Sequence, residues 1–248
     1  MLASGRAPRH MRDVHDELGL TTPVIGHNGA LVTDLATNTV IHQEPIQLAT
    51  ARRVMDIIQQ YQPDVNLHLE THHGEGDSWH VDRLDERVDM FVKKYRVLPP
   101  NSVGAIQALL RDESALVSKL WFAAPKETMS AVKEHLLREL EHDIDTLGFD
   151  DVSLTILATG VSKAAAMAWV AAHYDVTAAE VMAIGDEIND IPLIGWAGLG
   201  IAMGNATPEV KAVAKELTAS NAEHGVARAI QRHLLPPSPA SGYSSSKT

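Results

Sequence analysis

The residues with the most evident chemistry form one short run, Gly185-Asp186-Glu187-Ile188-Asn189-Asp190. Apolar residues from Val181 to Ile184 lead straight into it, which predicts a short buried parallel strand ending in an acidic turn. Two aspartates and an asparagine at the end of a strand suit a ligand that takes oxygen donors. Mg2+ is such a ligand: a hard cation bound by carboxylates, waters and phosphate oxygens. In open α/β sheets, ligands bind at the carboxyl ends of the strands. The run therefore predicts a protein that handles a small phosphorylated molecule with Mg2+. The competing reading is an ordinary surface turn with solvated acids.

The elements that must position this run are legible along the 248 residues. Met1 to Ala3 reads as the tail of a strand, with Ser4-Gly5-Arg6 as the loop after it. Residues 8 to 18 predict a helix with Met11, Val14 and Leu18 on one face. Pro23 to Ile25 predicts a second strand, ending in Gly26-His27-Asn28-Gly29, where Asn-Gly favours a tight turn with positive φ. From Pro45 the texture changes. Val65, Leu67 and Leu69 alternate with Asn66, His68 and Glu70, as in a sheet with one buried and one wet face. His68, His72, His73 and His80 then fall on a wet hairpin rather than in a metal site. Ser162 caps an Ala-rich helix that carries Lys163 in its first turn. Thr207-Pro208 is a strong helix start. The expected fold class is α/β: a doubly wound parallel core, residues 1–45 and 158–235, split by an inserted α+β cap, residues 46–157. The Pro- and Ser-rich residues 236–248 read as a disordered tail.

Bulk composition narrows the partners. A formal net charge of −11 argues against nucleic acid and anionic membranes, which need a basic surface. There is no cysteine, hence no disulfide framework or thiolate chemistry. No apolar run approaches the ~20 residues of a membrane span, and no signal peptide is visible, so a cytoplasmic location is the default expectation. Oligomeric state is not readable.

Four stretches together resemble the haloacid dehalogenase superfamily, most closely its Cof-type phosphatases with a C2-type cap. Leu2 to Arg6 is similar to the second motif of that family, and Ile25 to Ala30 to its Asn-Gly-Ala loop. Gly160-Val161-Ser162-Lys163 resembles the third motif. Gly185 to Asp190, with Gly198 to Ala206 behind it, resembles the fourth. The resemblance implies a Mg2+-dependent phosphatase acting on a small phosphomonoester such as a sugar phosphate. It implies that Asp186 ligates Mg2+, that Asp190 sits in or behind the first shell, and that Asn189 lies near the phosphate. Ser4 would donate its hydroxyl to a phosphate oxygen, and Lys163 would neutralise charge on the transferring group. Arg6 and Asn28 would help hold the substrate. All these groups are expected to converge, since phosphoryl transfer needs mainly positioning and charge stabilisation.

The chain departs from the family pattern at its front. The family's first motif, Asp-x-Asp-Gly-Thr, supplies the nucleophile and the general acid–base. The one Asp-x-Asp here, Asp143-Ile144-Asp145, lies in the cap region and is not followed by Gly-Thr. The resemblance thus implies that the first core strand is missing and that the chain in this form is inactive. The expected explanation is that Met1 is an internal residue of a longer protein. The alternative is a non-catalytic fragment or a Mg2+- or phosphate-binding interaction module.

Overall fold

The computed structural model describes residues 1–73, 76–150 and 152–235; the tail expected at 236–248 lies outside them. The chain divides into two compact units, Met1–Asp175 and Val176–Thr248.

The first unit opens with Leu2 and Ala3. After them come a 3-10 turn, Pro8–Met11, and helix α1, Arg12–Glu17. Met11 is buried, but Val14 and Leu18 are 47% and 60% exposed, contrary to the expected apolar stripe. The buried stripe runs instead through Met11 and His15, four positions apart, and Leu18 lies past the end of α1. Strands β1 (Val24–Gly26), β2 (Leu31–Asp34) and β3 (Thr39–Gln43) form an antiparallel sheet. Ala3 runs parallel to β1, opposite Ile25, and Ile25 N–H donates to the Leu2 carbonyl at 2.9 Å.

Next come α2 (Leu48–Gln59), β4 (Asn66–His73), β5 (Gly76–Val81), α3 (Glu86–Tyr95), β6 (Ser102–Val103), α4 (Ile106–Leu109), β7 (Leu116–Ala123), α5 (Lys126–Leu140), β8 (Ile144–Asp150) and β9 (Ser153–Ala158). The strands form one sheet in the order β6-β5-β4-β7-β9-β8, antiparallel except for the β5–β6 pair. One face carries Leu67, Leu69, Leu120 and Phe122. Helices α2 and α5 cover it with Val54, Ile57, Ile58, Val132 and Leu136 at helical spacing, forming the largest apolar cluster described.

The alternation of residues 66 to 70 predicts a wet opposite face, and the structure buries it. His68, Glu70, His72, His80 and Lys119 are all buried. His68 stacks on Trp121, with ring centroids 3.5 Å apart, and Trp79 Nε1–H donates to His68 Nδ1 at 3.1 Å. Val88 and Phe91 of α3 pack over Trp79 and Trp121. Alternation reports a difference in polarity between two faces. It does not report which of them water reaches, and here a helix and polar pairing cover the polar one. Helix α6 (Lys163–His173) follows, its N-cap Ser162 accepting from Ala165 N–H at 3.1 Å.

The second unit is a small α/β body. It contains β10 (Met182–Gly185), α7 (Ile191–Trp196), β11 (Leu199–Ala202), α8 (Pro208–Val213), β12 (Glu216–Leu217) and α9 (Gly225–His233). Its strands are parallel, in the order β10-β11-β12. Ile194, Ala202, Met203, Ala206 and Val210 form its core. Among the described residues, Ala3 pairs across with Ile25 alone and β10 with β11 alone.

Phe122→Ala is expected to destabilise the first unit by about 3–5 kcal/mol, through lost apolar burial and a residual cavity; urea denaturation would measure it. Burial pushes the His68 imidazole down to about 3 from the usual 6.5. The unfolded chain therefore takes up a proton below pH 6.5 that the folded chain refuses until about pH 3. Stability is expected to fall across that window as pH drops, by about 1.4 kcal/mol per pH unit for this one group. His68→Phe should flatten the slope by that amount in denaturation curves recorded from pH 7 to 4.

Candidate active site

In the first unit, three loops are drawn together by close contacts at glycine. The strand ending at Ala3 delivers Ser4, whose N–H donates to the Ile25 carbonyl at 2.9 Å. Its Oγ accepts from Arg6 N–H at 3.2 Å, closing the Ser4-Gly5-Arg6 turn. After β1 the chain turns through His27 and Asn28 in the left-handed region, φ 49° and 60°, and then Gly29 at φ 114°. Asn28 N–H donates to the Ser4 carbonyl at 3.0 Å. A β-carbon placed on Gly5 would lie 2.9 Å from Asn28 Oδ1, so the amide of Asn28 rests against the Ser4 turn. A β-carbon on Gly29 would collide with the Ser162 carbonyl, one residue before Lys163. Ser4, Asn28 and the start of α6 thus share one neighbourhood.

Lys163 is buried at the first position of α6. A cation there opposes the helix dipole, so the pairing of a lysine with a helix N-terminus suits an anion that both can bind. Arg6 differs: its side chain is exposed, and its carbonyl accepts from His27 N–H at 2.9 Å.

The second unit builds the acidic turn. Asp190 Oδ2 accepts from the backbone N–H groups of Asp186 and Glu187 at 3.1 and 3.2 Å. This folds the turn back on itself. A β-carbon on Gly185 would lie 2.5 Å from Asp190 Cγ, so the return needs a bare α-carbon. Asp186 Oδ2 accepts from Asn205 Nδ2 at 2.8 Å, and Asn205 Oδ1 in turn accepts from Asn221 N–H at 2.9 Å. Asn189 and Asp190 are buried, while Asp186 is half-buried at the end of β10. Carboxylates oriented by amide donors form an all-oxygen set, which fits a hard dication. Asn205 lies in the Gly198–Ala206 stretch that carries the resemblance, but its pairing with Asp186 appears only when the loop after β11 is placed beside that residue.

A second ionic group was also invisible in the sequence. His27, Glu70 and Asp77 bring possible metal-ligand atoms within 4.8 Å of one another. Arg9 pairs with Asp77 and lies 3.8 Å from Glu70, while Lys119 lies 3.5 Å from Glu70. Two cations thus already neutralise the two carboxylates, which removes the electrostatic reason for a metal.

A sequence profile of haloacid dehalogenase-like hydrolases matches residues 1–230. The chain is 30% identical over 238 residues to YxeH of Bacillus subtilis (strain 168), covering 95% of this chain and 85% of that protein. It is 26% identical over 247 residues to the 5-amino-6-(5-phospho-D-ribitylamino)uracil phosphatase YitU of the same organism, covering 94% and 84%. Among solved structures, BT1666 from Bacteroides thetaiotaomicron, analysed among phosphatases of the HAD superfamily, matches with a TM-score of 0.74 at 28% identity. That match covers 93% of this chain and 80% of the other.

Asp190→Ala removes the carboxyl oxygen that accepts from two backbone N–H groups. It is expected to destabilise the second unit by about 1.5–3 kcal/mol, measurable by chemical denaturation of the purified variant.

Proposed function

The chain belongs to the haloacid dehalogenase-like hydrolase family, and from that premise we propose a Mg2+-dependent site for small phosphomonoesters. Its relatives include named phosphatases, and the chain is a phosphatase by that resemblance. The reading assigns Ser4 and Lys163 to the phosphoryl group, with Arg6, Asn28 and Asn189 as substrate contacts. Asp186 and Asp190 hold Mg2+, which when bound neutralises phosphate oxygens. The observation that carries the reading is the junction of Gly29 with Ser162, which sets the Ser4–Asn28 turns beside Lys163 and the start of α6. Hydroxyl, amide, ammonium and helix N-terminus are the donors an ester dianion needs. The relative YitU is named for a phosphoribityl substrate, which supports a hydroxylated leaving group such as a sugar or polyol.

Residues 46–157 act in this reading as a cap on a core made of residues 1–45 and 158–235, with tail residues 236–248 outside it. The remaining assignments are a cytoplasmic location, a small phosphorylated substrate, and neither nucleic acid nor membrane as partner; no described helix is long and apolar enough to cross a membrane. The second reading, a binding module without turnover, is favoured by one observation: no Asp-x-Asp-Gly-Thr occurs in the 248 residues. The chain's own residues then bind and orient a phosphate but offer no family nucleophile.

The two readings separate experimentally. The 248-residue chain is expected to bind inorganic phosphate in the presence of Mg2+ and to leave aryl phosphate unhydrolysed. Lys163→Met should weaken phosphate binding at least about tenfold, the loss of one charge-assisted contact, and Asp186→Asn should abolish its Mg2+ dependence; calorimetry reads both. Adding an amino-terminal strand that bears Asp-x-Asp-Gly-Thr should confer aryl phosphatase activity. No turnover from that extended chain would leave the binding module as the function. No phosphate binding by either form would sink both readings.

A further inference from the structure

Glu70 of β4 is the centre of a buried ionic group that joins the six-stranded sheet to the loops carrying Ser4 and Asn28. On the sheet it stands beside Lys119 of β7, its cross-strand partner, with Oε1 3.5 Å from Lys119 Nζ. Glu70 Oε2 lies 3.5 Å from His27 Nε2 and 3.8 Å from Arg9 Nη2. Arg9 also pairs with Asp77 of β5. Lys119 Nζ donates across 114 residues of sequence to the Gly5 carbonyl at 3.2 Å. The sheet therefore grips three points, Gly5, Arg9 and His27, which flank Ser4, Arg6 and Asn28.

Around Glu70 itself the contacts are electrostatic, at 3.5 to 3.8 Å. Glu70 Oε2, Arg9 Nη2 and both His27 ring nitrogens are buried without a hydrogen bond at close range. Burial opposes ionisation of Glu70. Lys119, His27 and Arg9 together outweigh it and hold the carboxyl below its usual range. Arg9 donates to Asp77 and Lys119 to the Gly5 carbonyl, so these bonds and charges form a clasp between the sheet and the opening loops.

We propose that Glu70 and Lys119 are positioning residues: through this clasp, docking of the sheet on residues 5–9 and 27 sets the geometry of the Ser4 and Asn28 turns. The proposal rests on the phosphate-site reading for its purpose, but its physical content is the order of two loops. The Ser4 N–H and Asn28 N–H bonds, to the Ile25 and Ser4 carbonyls, report that order directly.

Amide hydrogen exchange of the full chain tests it. In Glu70→Gln and Lys119→Met, exchange at Ser4, His27 and Asn28 is expected to quicken at least about tenfold, with the amides of α5 unchanged. Lys119→Arg, which keeps the charge, should stay near the parent rate. The double variant Glu70→Gln/Lys119→Met leaves neither charge orphaned. It should recover the thermal midpoint of the parent while the three loop amides stay fast. Parent rates at those amides in both single variants would overturn the clasp. So would an acceleration shared equally by α5, which marks general destabilisation. A parallel titration with inorganic phosphate reads the other premise: weaker phosphate binding in Lys119→Met, with Mg2+ affinity unchanged, supports positioning. If the parent itself binds no phosphate, the phosphate-site reading fails, and the exchange pattern still decides the clasp.

Discussion

One contact between backbones distant in sequence, made at a glycine, orders the loops of the first unit. Gly29 sits at a φ that other residues rarely adopt, and its α-carbon meets the Ser162 carbonyl. Both requirements fall on one residue. Any side chain there would strain the turn and push it off the start of α6, separating Asn28 from Lys163. Gly5 repeats the theme at smaller scale, leaving room for the Asn28 amide. The second unit uses the same device, since Gly185 lets Asp190 fold back onto the N–H groups of its own turn. In each unit, candidate site residues are placed by contacts at glycine that tolerate almost no added volume.

The six-stranded sheet shows how two faces can both be buried under different rules. Its apolar face is closed by α2 and α5 through interdigitated aliphatic side chains, where the hydrophobic effect suffices. Its other face holds His68, Glu70 and Lys119, whose burial is costly unless neighbours answer their polarity. Two solutions are used. His68 stays neutral among Trp79, Trp121 and Phe91. Glu70 stays charged among Lys119, Arg9 and His27. The aromatic half belongs to the sheet and α3 alone, whereas the ionic half recruits Arg9 and His27 from the opening segment. The sheet is thereby tied to the opening loops by charge as well as by the apolar contact of Ala30 with Leu157.

The acidic turn was readable in the sequence because its signal is local: an apolar strand, a glycine and carboxylates in one unbroken run. The Ser162 cap was equally clear, since a cap acts within a single turn of helix. The apolar face of the sheet followed from periodicity. The expectations that failed were those requiring knowledge of what lies opposite a residue. Val14 and Leu18 were expected to pack, but the buried face of α1 carries His15, and Leu18 lies past the end of the helix. The histidine-bearing face was expected to be wet, and α3 and the opening segment cover it.

The sequence by itself determined the family, the α/β class and the acidic turn, and it named the candidate phosphate residues, because each is written in short-range order along the chain. Only the tertiary structure decided which of those residues become neighbours. Lys119 and Gly5 are 114 positions apart, and Asn205 reaches Asp186 from 19 positions away. No periodicity encodes such pairs, since they arise from where packed elements bring their ends together and from the need of each buried charge to find its opposite.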